Sequence, residues 1–403
     1  MRVVFIGPFG LRVKGTMSRR AMPMARALAA KGHQADVILP PWDCPEDSGR
    51  EWEEEGVGVH NIALPPRFPL LFHLLVTWRL VRRALALKPD VVHCFKPKAY
   101  AGLSATVLWF LQKLGLTKVR LVVDSDDREG WGGWNEIGDY TWAQKRFFAW
   151  QERWGLTHCD AVTVASRALQ TLAWSLGVAP KRVFYVPNGA VINSQFSIPN
   201  SQFSIPNSQF TFRVSCFTVL LYTRFFEFRA ERVIEVFERV AAEVPEVRFL
   251  IVGKGLSGEE EKLLRLTDQR GLSDRIVHAG WVELTELPRY LAAASVAIYP
   301  LDDNLLNRAR CSAKLVDLMA AGLAIVAEDV GQSSEYIEHG RSGLLVRAGD
   351  TGAFAQGVVR LLQDKSLRVA LGNEARRRVY EEFTWERLVE RIERAYQVGG
   401  VNG

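Results

Sequence analysis

Two arginines five residues apart, Arg224 and Arg229 in Leu221-Tyr-Thr-Arg-Phe-Phe-Glu-Phe-Arg229, follow a β-rich run and enter a helical one. Guanidinium groups so placed can converge on one anion, because their forked N–H donors match phosphate oxygens. The same residues would equally serve as a solvated helix start. A second set is Val123-Asp124-Ser-Asp126-Asp127-Arg-Glu-Gly130-Trp131-Gly-Gly-Trp134. Three carboxylates after a strand suggest ligands for a hard cation, or acidic caps of the next helix beside structural tryptophans.

Two glycine-rich turns also follow strands. Gly7-Pro-Phe-Gly-Leu-Arg-Val-Lys-Gly15 opens a helix from Ser18, and suits either a phosphate or sugar at a helix N-terminus or a plain βα turn. It is not G-x-G-x-x-G, and no acidic residue ends the second strand, so a nicotinamide cofactor is excluded there. A literal G-x-G-x-x-G stands at Gly253-Lys-Gly255-Leu-Ser-Gly258, but the next strand ends in Val277-His-Ala-Gly-Trp281 without an acid for a ribose.

These residues need strands and helices to hold them. Val3–Ile6, Ala35–Leu39, Val91–His93, Val119–Val123, Ala161–Val164 and Val183–Val186 read as strands. Helices are expected at Ser18–Lys31, Leu70–Leu87, Ala99–Leu114, Thr141–Trp154 and Ser166–Trp174. The pattern restarts with strands at Phe217–Tyr222, Val247–Val252, Ile276–His278, Val296–Ile298, Leu323–Val326 and Gly343–Val346, with helices such as Glu231–Val240 and Glu259–Gln269 among them. Alternation of this kind means right-handed βαβ units and mostly parallel sheets covered on both faces. The expected class is α/β, with two doubly wound domains at 1–190 and 212–375 and a closing segment, 376–403, that packs back on the first. Between them, 193–210 repeats Asn-Ser-Gln-Phe-Ser-Ile-Pro. A proline in each full copy excludes a continuous helix, leaving an expanded linker or a binding segment.

The 403 residues carry 51 Lys and Arg against 45 Asp and Glu, a net charge of +6. That is too small a surplus to argue for nucleic acid. The 5 cysteines are widely spaced, with no zinc or disulfide framework. The N-terminal apolar run is too short for a signal peptide, and no stretch reaches the ~20 apolar residues of a membrane span, so a cytoplasmic protein is expected. Arg67–Lys88 mixes Phe, Leu and Trp78 with arginines. It reads as a core helix with a basic edge or as a helix for peripheral contact with a membrane surface.

The most informative stretch is Cys311-Ser-Ala-Lys314-Leu315-Val-Asp317-Leu-Met-Ala-Ala-Gly, continuing through Gly331-Gln-Ser-Ser-Glu335 to Gly343. With Asp90-Val-Val-His-Cys-Phe-Lys-Pro, Val186-Pro-Asn-Gly189 and Phe383-Thr-Trp385-Glu-Arg, it makes the chain resemble the family 4 retaining glycosyltransferases of the GT-B fold. The resemblance runs nearly end to end. It implies two Rossmann-like domains facing a central cleft, and transfer from a nucleotide-diphospho-sugar to a hydroxyl of a glycan, lipid-linked or small acceptor. The donor diphosphate falls to Arg224, Arg229, Lys314 and Gly15, with Arg229 standing where the family has Lys. Gly253, Leu315, Asp317 and Glu335 fall to the nucleotide and sugar. The second Glu of the family's Glu-x7-Glu motif is Asp317; the first is Ala309, a departure beside the donor sugar. The resemblance also implies no metal and no cofactor beyond the donor. It makes the acidic loop the acceptor side, with Asp124, Asp126 or Asp127 orienting or deprotonating a hydroxyl and Trp131 and Trp134 as sugar platforms. A GT-B nucleotide-sugar epimerase, and a non-catalytic nucleotide- or glycan-binding descendant, are the alternatives.

Overall fold

β-branched runs alternating with amphipathic segments build two parallel sheets in the computed structural model, which describes residues 1–12, 15–190, 203–204, 211–212 and 217–398. The chain forms two units: Met1–Gly189 with Ala309–Cys311 and Trp385–Gly403, and Ala190–Arg308 with Ser312–Thr384.

In the first unit the elements are β1 (Arg2–Ile6), α1 (Met22–Ala30), β2 (Gln34–Leu39), β3 (Glu51–Glu54), β4 (Val57–Asn61), α2 (Leu71–Ala86) and β5 (Val91–Phe95). They continue with α3 (Ala99–Lys113), β6 (Arg120–Ser125), α4 (Trp142–Thr157), β7 (Ala161–Val164), α5 (Arg167–Ser175) and β8 (Val183–Tyr185). The sheet order is β3-β4-β2-β1-β5-β6-β7-β8. All pairs are parallel except β3 with β4. That hairpin escapes the sequence reading, because Glu51-Trp-Glu-Glu-Glu looks solvated rather than extended. Glu55 and Gly56 form its two-residue turn with φ of 51° and 78°, the left-handed geometry a tight hairpin requires. Charge along β3 suits an edge strand, which must not recruit another chain.

Alternate side chains of each strand enter different cores. Val3, Phe5, Val37 and Leu39 pack with α1 and the closing helix Trp385–Gln397. Val4, Ile6, Ile38 and Val92 pack with α2, α3, α4 and α5 on the other face. Burial on both faces explains why these strands read as unbroken apolar runs.

The second unit begins with a two-residue pair, β9 (Phe203–Ser204) against β10 (Thr211–Phe212). Then follow β11 (Thr218–Tyr222), α6 (Ala230–Glu243), β12 (Arg248–Val252), α7 (Glu259–Gln269), β13 (Ile276–Gly280), α8 (Leu287–Ala292) and β14 (Val296–Tyr299). The chain goes on through α9 (Leu305–Ala309), α10 (Ala313–Ala320), β15 (Ala324–Glu328), α11 (Ser333–Tyr336), β16 (Leu344–Val346), α12 (Thr351–Gln363) and α13 (Lys365–Glu382). The sheet is parallel throughout, in the order β13-β12-β11-β14-β15-β16. Each sheet reverses its winding direction once, at β1/β5 and at β11/β14. Ligands bind beyond the carboxyl ends of strands at such points.

The domain boundary expected at 376 lies inside α13. Leu371, Ala375 and Val379 of that helix pack into the second unit's cores. The return to the first unit starts at Trp385, where Leu388, Val389 and Ile392 are buried with α1. Apart from β9, the 193–210 repeat lies outside the described residues.

Replacing Leu388 by alanine should lower the unfolding free energy by about 2–5 kcal/mol in urea titration, because this fully buried side chain leaves a cavity.

Candidate active site

At the end of β1 the chain turns through Gly7, where a Cβ would lie 2.7 Å from Leu39 and 2.8 Å from Met17. A π-helical turn, Met17–Ala21, follows and leads directly into α1. It turns Arg20 into the protein, only 2% exposed. Arg20 donates from Nε to Asp124 Oδ2 at 2.8 Å and from Nη2 to Oδ1 at 2.7 Å. It also reaches the Val186 carbonyl at 2.9 Å and Asn188 Oδ1 at 3.2 Å. Such a pair is tolerable in low dielectric because each guanidinium nitrogen is aimed at an oxygen.

Asp124 therefore leaves the acid–base candidates. It is fully buried at the end of β6, and Thr163 Oγ1 donates to its Oδ1 at 2.6 Å, so both oxygens are committed. Behind Thr163 the chain of bonds continues: His93 Nε2 lies 3.0 Å from Thr163 Oγ1, and Tyr396 OH lies 2.9 Å from His93 Nδ1. Since Thr163 gives its proton to Asp124, His93 Nε2 donates to Thr163 and Nδ1 accepts from Tyr396. Burial pushes His93 down to about 4, which keeps the ring neutral. Burial opposes ionisation of Asp124, yet Arg20 holds it below the usual carboxylate range.

Two residues on, the setting changes. Lys96, after β5, has φ of 64°, a left-handed conformation that costs a lysine of order 1 kcal/mol. Its ammonium lies 3.0 Å from Asp126 Oδ1, 2.9 Å from Asp127 Oδ2 and 2.7 Å from Glu129 Oε1. Glu129 is shared with Lys98 Nζ at 3.1 Å. The oxygens of Asp126, Asp127 and Glu129 come within 4.8 Å of one another, close enough to ligate a metal. The place a cation would take is held by the Lys96 ammonium. Thr16 Oγ1 donates to Asp126 Oδ2 at 2.9 Å. Burial, reinforced by Asp127, Asp124 and Glu129 and opposed by Lys96, pushes Asp126 up to about 7. Lys96, Glu129 and Arg20 carry no role in the sequence reading; the signal was the basic pair Phe95-Lys96-Pro-Lys98 after a buried strand.

Trp131 stands at the exposed tip of the next loop, whereas Trp134 is half-buried where the loop closes through Trp134 N–H to the Arg128 carbonyl at 2.9 Å. Gly133 permits that closure, since a Cβ there would lie 2.1 Å from the same carbonyl oxygen. Gly15 meets no such demand: its Cβ would touch only Arg19, at 3.6 Å. Val13 and Lys14 of that loop lie outside the described residues. Ala309 is buried in this unit, and its carbonyl accepts from Ser166 Oγ at 2.9 Å.

In the second unit, β11 runs into Thr223-Arg224-Phe225-Phe226-Glu227. Glu227, absent from the sequence candidates, organises this turn. Its Oε2 accepts from Thr223 Oγ1 at 2.7 Å and from the Arg224 N–H at 2.9 Å. Its Oε1 accepts from Lys314 Nζ at 2.9 Å. Arg224 and Lys314 are thus joined through one buried carboxylate. Arg224 Nε is buried without a hydrogen-bond partner among the described residues. An unmet donor of this kind costs about 1–3 kcal/mol, which an anion would relieve. Arg229 is largely exposed, with Asp302 Oδ2 4.0 Å from its Nε.

Lys314 and Asp317 stand three residues apart on α10, hence on one face. Ser312 caps that helix, its Oγ accepting from the Leu315 N–H at 3.4 Å. Leu315 is a fully buried core residue, so its side chain is withdrawn from the donor set. Glu335 is half-buried on α11. Gly253 has φ of 134°, and a Cβ there would lie 1.8 Å from the Thr223 carbonyl oxygen; the residue lets the turns after β11 and β12 touch. The rest of its loop is no phosphate cradle. Gly255 N–H is bonded to Glu260 and Ser257 N–H to Glu259, at 2.9 and 2.8 Å.

Two family models match these units: glycosyl transferase 4-like domain over residues 15–189, and glycosyl transferases group 1 over residues 217–364. The chain belongs to the group 1 glycosyltransferases. N-acetyl-alpha-D-glucosaminyl L-malate synthase of Bacillus anthracis is 29% identical over 168 residues, 42% of either chain. Phosphatidyl-myo-inositol mannosyltransferase of Mycobacterium leprae is 25% identical over 415 aligned residues, covering 100% of this chain and 98% of that one. Among solved structures, sucrose-phosphate synthase from Thermosynechococcus elongatus superposes with a TM-score of 0.68 at 20% identity. Anabaena Alr3699/HepE in complex with UDP-glucose gives 0.67 at 17% identity. Each of these two covers 98% of both chains. The fold of this glycosyltransferase is GT-B.

Two measurements probe the buried network of this glycosyltransferase. Asp124→Asn, which leaves the Arg20 charge uncompensated, should cost about 3–5 kcal/mol of stability by thermal or urea denaturation. An unfolded histidine takes up a proton below about 6.5, but native His93 does so only near about 4. Stability should therefore fall as pH drops through that window, by about 3 kcal/mol, and be intact above it. His93→Gln should flatten that slope.

Proposed function

We propose that this glycosyltransferase moves a sugar from a nucleotide-diphospho-sugar to a hydroxyl with retention of configuration and without a metal. The observation that carries the reading is the buried, unpartnered Arg224 Nε beside a lysine fixed through the same carboxylate. The diphosphate would lie against Arg224, Lys314 and Arg229, with Asp317, Glu335 and the Gly253 turn toward the nucleotide and sugar. The Lys96 ammonium amid Asp126, Asp127 and Glu129 supports a metal-free acceptor side. We assign Asp126 to the acceptor: both oxygens of Asp124 are spent on Arg20 and Thr163, and burial raises Asp126 to about 7, where its charge changes near neutrality.

In the proposed step the anomeric carbon's bond to the diphosphate oxygen breaks while its bond to the acceptor oxygen forms on the same face. The acceptor proton passes to the departing diphosphate. Charge developing on that leaving group is offset by fixed cations rather than by reorganising water. Asp126 orients the hydroxyl as its ionised form, and Trp131 offers a sugar a flat apolar surface. The acceptor is a glycan or a lipid-linked saccharide, consistent with the phosphatidyl-myo-inositol substrate in the M. leprae relative's name. Cys44, Cys94, Cys159 and Cys311 are all free, as a reducing cytoplasm permits. Contact with a membrane surface runs through Arg67–Lys88. No helix among the described residues is long and apolar enough to cross a membrane.

Arg224→Ala should reduce turnover by about 100-fold or more with an unchanged melting temperature. Normal turnover in that variant contradicts the donor assignment. Glu227→Gln should weaken donor binding by about tenfold in calorimetry, since Lys314 loses its anchor. The rate should rise as pH passes through about 7, where Asp126 ionises, and Asp126→Asn should remove that rise. Adding a chelator should leave the rate unchanged; a chelator-sensitive rate contradicts the metal-free step.

A further inference from the structure

More than half of the exposed large apolar side chains among the described residues crowd onto α2, α3, α4 and the turns flanking them. The helices are neighbours, with α3 packed between α2 and α4. Their inner faces enter one core, through Val76 and Leu80, Ala105 and Leu108, and Leu156. Their outer faces therefore leave the sheet on the same side. On α2 the stripe is Leu70, Leu74 and Trp78, exposed by 79%, 67% and 53%. On α3 it is Phe110 and Leu114, and on α4 it is Trp142 and Trp150. The rings run on between helices: Phe147 stacks on Trp150 at 5.8 Å, Trp150 meets Trp154 at 6.0 Å, and Trp154 faces Phe110 at 6.4 Å.

On the helices themselves the exposed charges have one sign, although Glu136 and Asp139 are exposed in the turn before α4. Neither α2 nor α3 contains an acidic residue. The one on α4, Glu152, is buried under Arg128 and the Glu129 and Gly130 amides. The cations are exposed and lie over the rings: Arg82 over Trp78 at 5.1 Å, Lys113 over Trp109 at 5.7 Å and Arg146 over Trp142 at 5.4 Å. Arg83 and Lys145 are already paired with Glu51 and Glu136.

We propose that the outer face of α2, α3 and α4 is a bilayer-docking surface, its leucines and tryptophans entering the interface and its cations meeting anionic headgroups. Tryptophan with a basic neighbour matches a boundary that is apolar on one side and negatively charged on the other. A second copy of the chain fits less well, because a two-fold contact would set this uncompensated positive face against itself. A sugar chain fits less well too, since the leucine stripe offers no polar partner for hydroxyls. The inference deepens the reading of a membrane-presented acceptor: the contact spans three helices, of which Arg67–Lys88 supplies one.

The test is co-sedimentation of the full chain with vesicles of phosphatidylcholine alone or with about one third phosphatidylglycerol. Wild type should bind the anionic vesicles, more weakly as salt rises. Leu70→Ser with Leu74→Ser, and separately Trp142→Ser with Trp150→Ser, should each lower binding by about tenfold. Donor-induced thermal stabilisation and transfer to a water-soluble hydroxyl acceptor should match wild type in both variants. Loss from the α2 variant but not the α4 variant overturns the three-helix surface while leaving the Arg67–Lys88 contact standing. Failure of wild type to bind either vesicle overturns both. Concentration-dependent dimers that the serine variants abolish, seen by sedimentation velocity without vesicle binding, would reassign the face to self-association.

Discussion

The first unit depends on the Arg20–Asp124 pair. A guanidinium and a carboxylate removed from water must satisfy each other completely, or the site destabilises the fold it occupies. Here the pair fixes three backbone segments at once: the π-helical turn after β1, the end of β6 and the Val186–Asn188 stretch after β8. Through Thr163 and His93 it extends to Tyr396 on the closing helix. The second unit has its own version. Arg232 on α6 pairs with Glu328 at the end of β15 and with Asp302, and Glu328 also takes the Leu301 and Gly349 amides. In each unit a buried pair pins the loops at the carboxyl ends of the strands, so the residues beyond them have fixed positions.

Rigid pinning explains how so many charges coexist nearby. Asp126, Asp127 and Glu129 would repel one another strongly in a low-dielectric setting without the Lys96 ammonium between them. Lys98 completes the arrangement, resting against Tyr140 and Phe148 at 4.6 Å while it pairs with Glu129. The net charge of +6 is therefore a poor guide to local electrostatics. The first unit's loops concentrate acid, the turn after β11 concentrates base, and α2 to α4 carry outward cations.

Much of the fold was legible because parallel strands buried on both faces announce themselves as apolar runs, and helices between them as amphipathic ones. Ala161–Val164 and Glu259–Gln269 coincide with their expected limits. The β3–β4 hairpin was not legible, since an edge strand is free to be acidic. The candidate residues were legible by type and not by partner. Nothing in Val123-Asp124-Ser-Asp126-Asp127 says that its first acid is consumed by an arginine 104 residues earlier and its others by a lysine about 30 residues earlier. Glu227 was invisible for the same reason: an acid among aromatics looks like a solvated helix start until Lys314 arrives from far along the chain. Leu315 errs the other way, because adjacency to Lys314 and Asp317 does not carry it onto their helix face.

The closing helix has a consequence for how the chain is made. Trp385, Leu388, Val389, Ile392 and Tyr396 complete the core that also holds Phe5, Met24 and Leu28. On the ribosome the first unit's sheet can form early and α1 can cover its β2–β4 side, but the β6–β8 part of that face lacks its closing helix until the second unit has been made. Until then the nascent chain carries an uncovered apolar strip of sheet, with Arg20 and His93 lacking their contacts to Trp385 and Tyr396. Exposed apolar surface of this kind makes an intermediate prone to aggregation. The polypeptide order thus makes the second unit's folding a delay built into the first unit's completion.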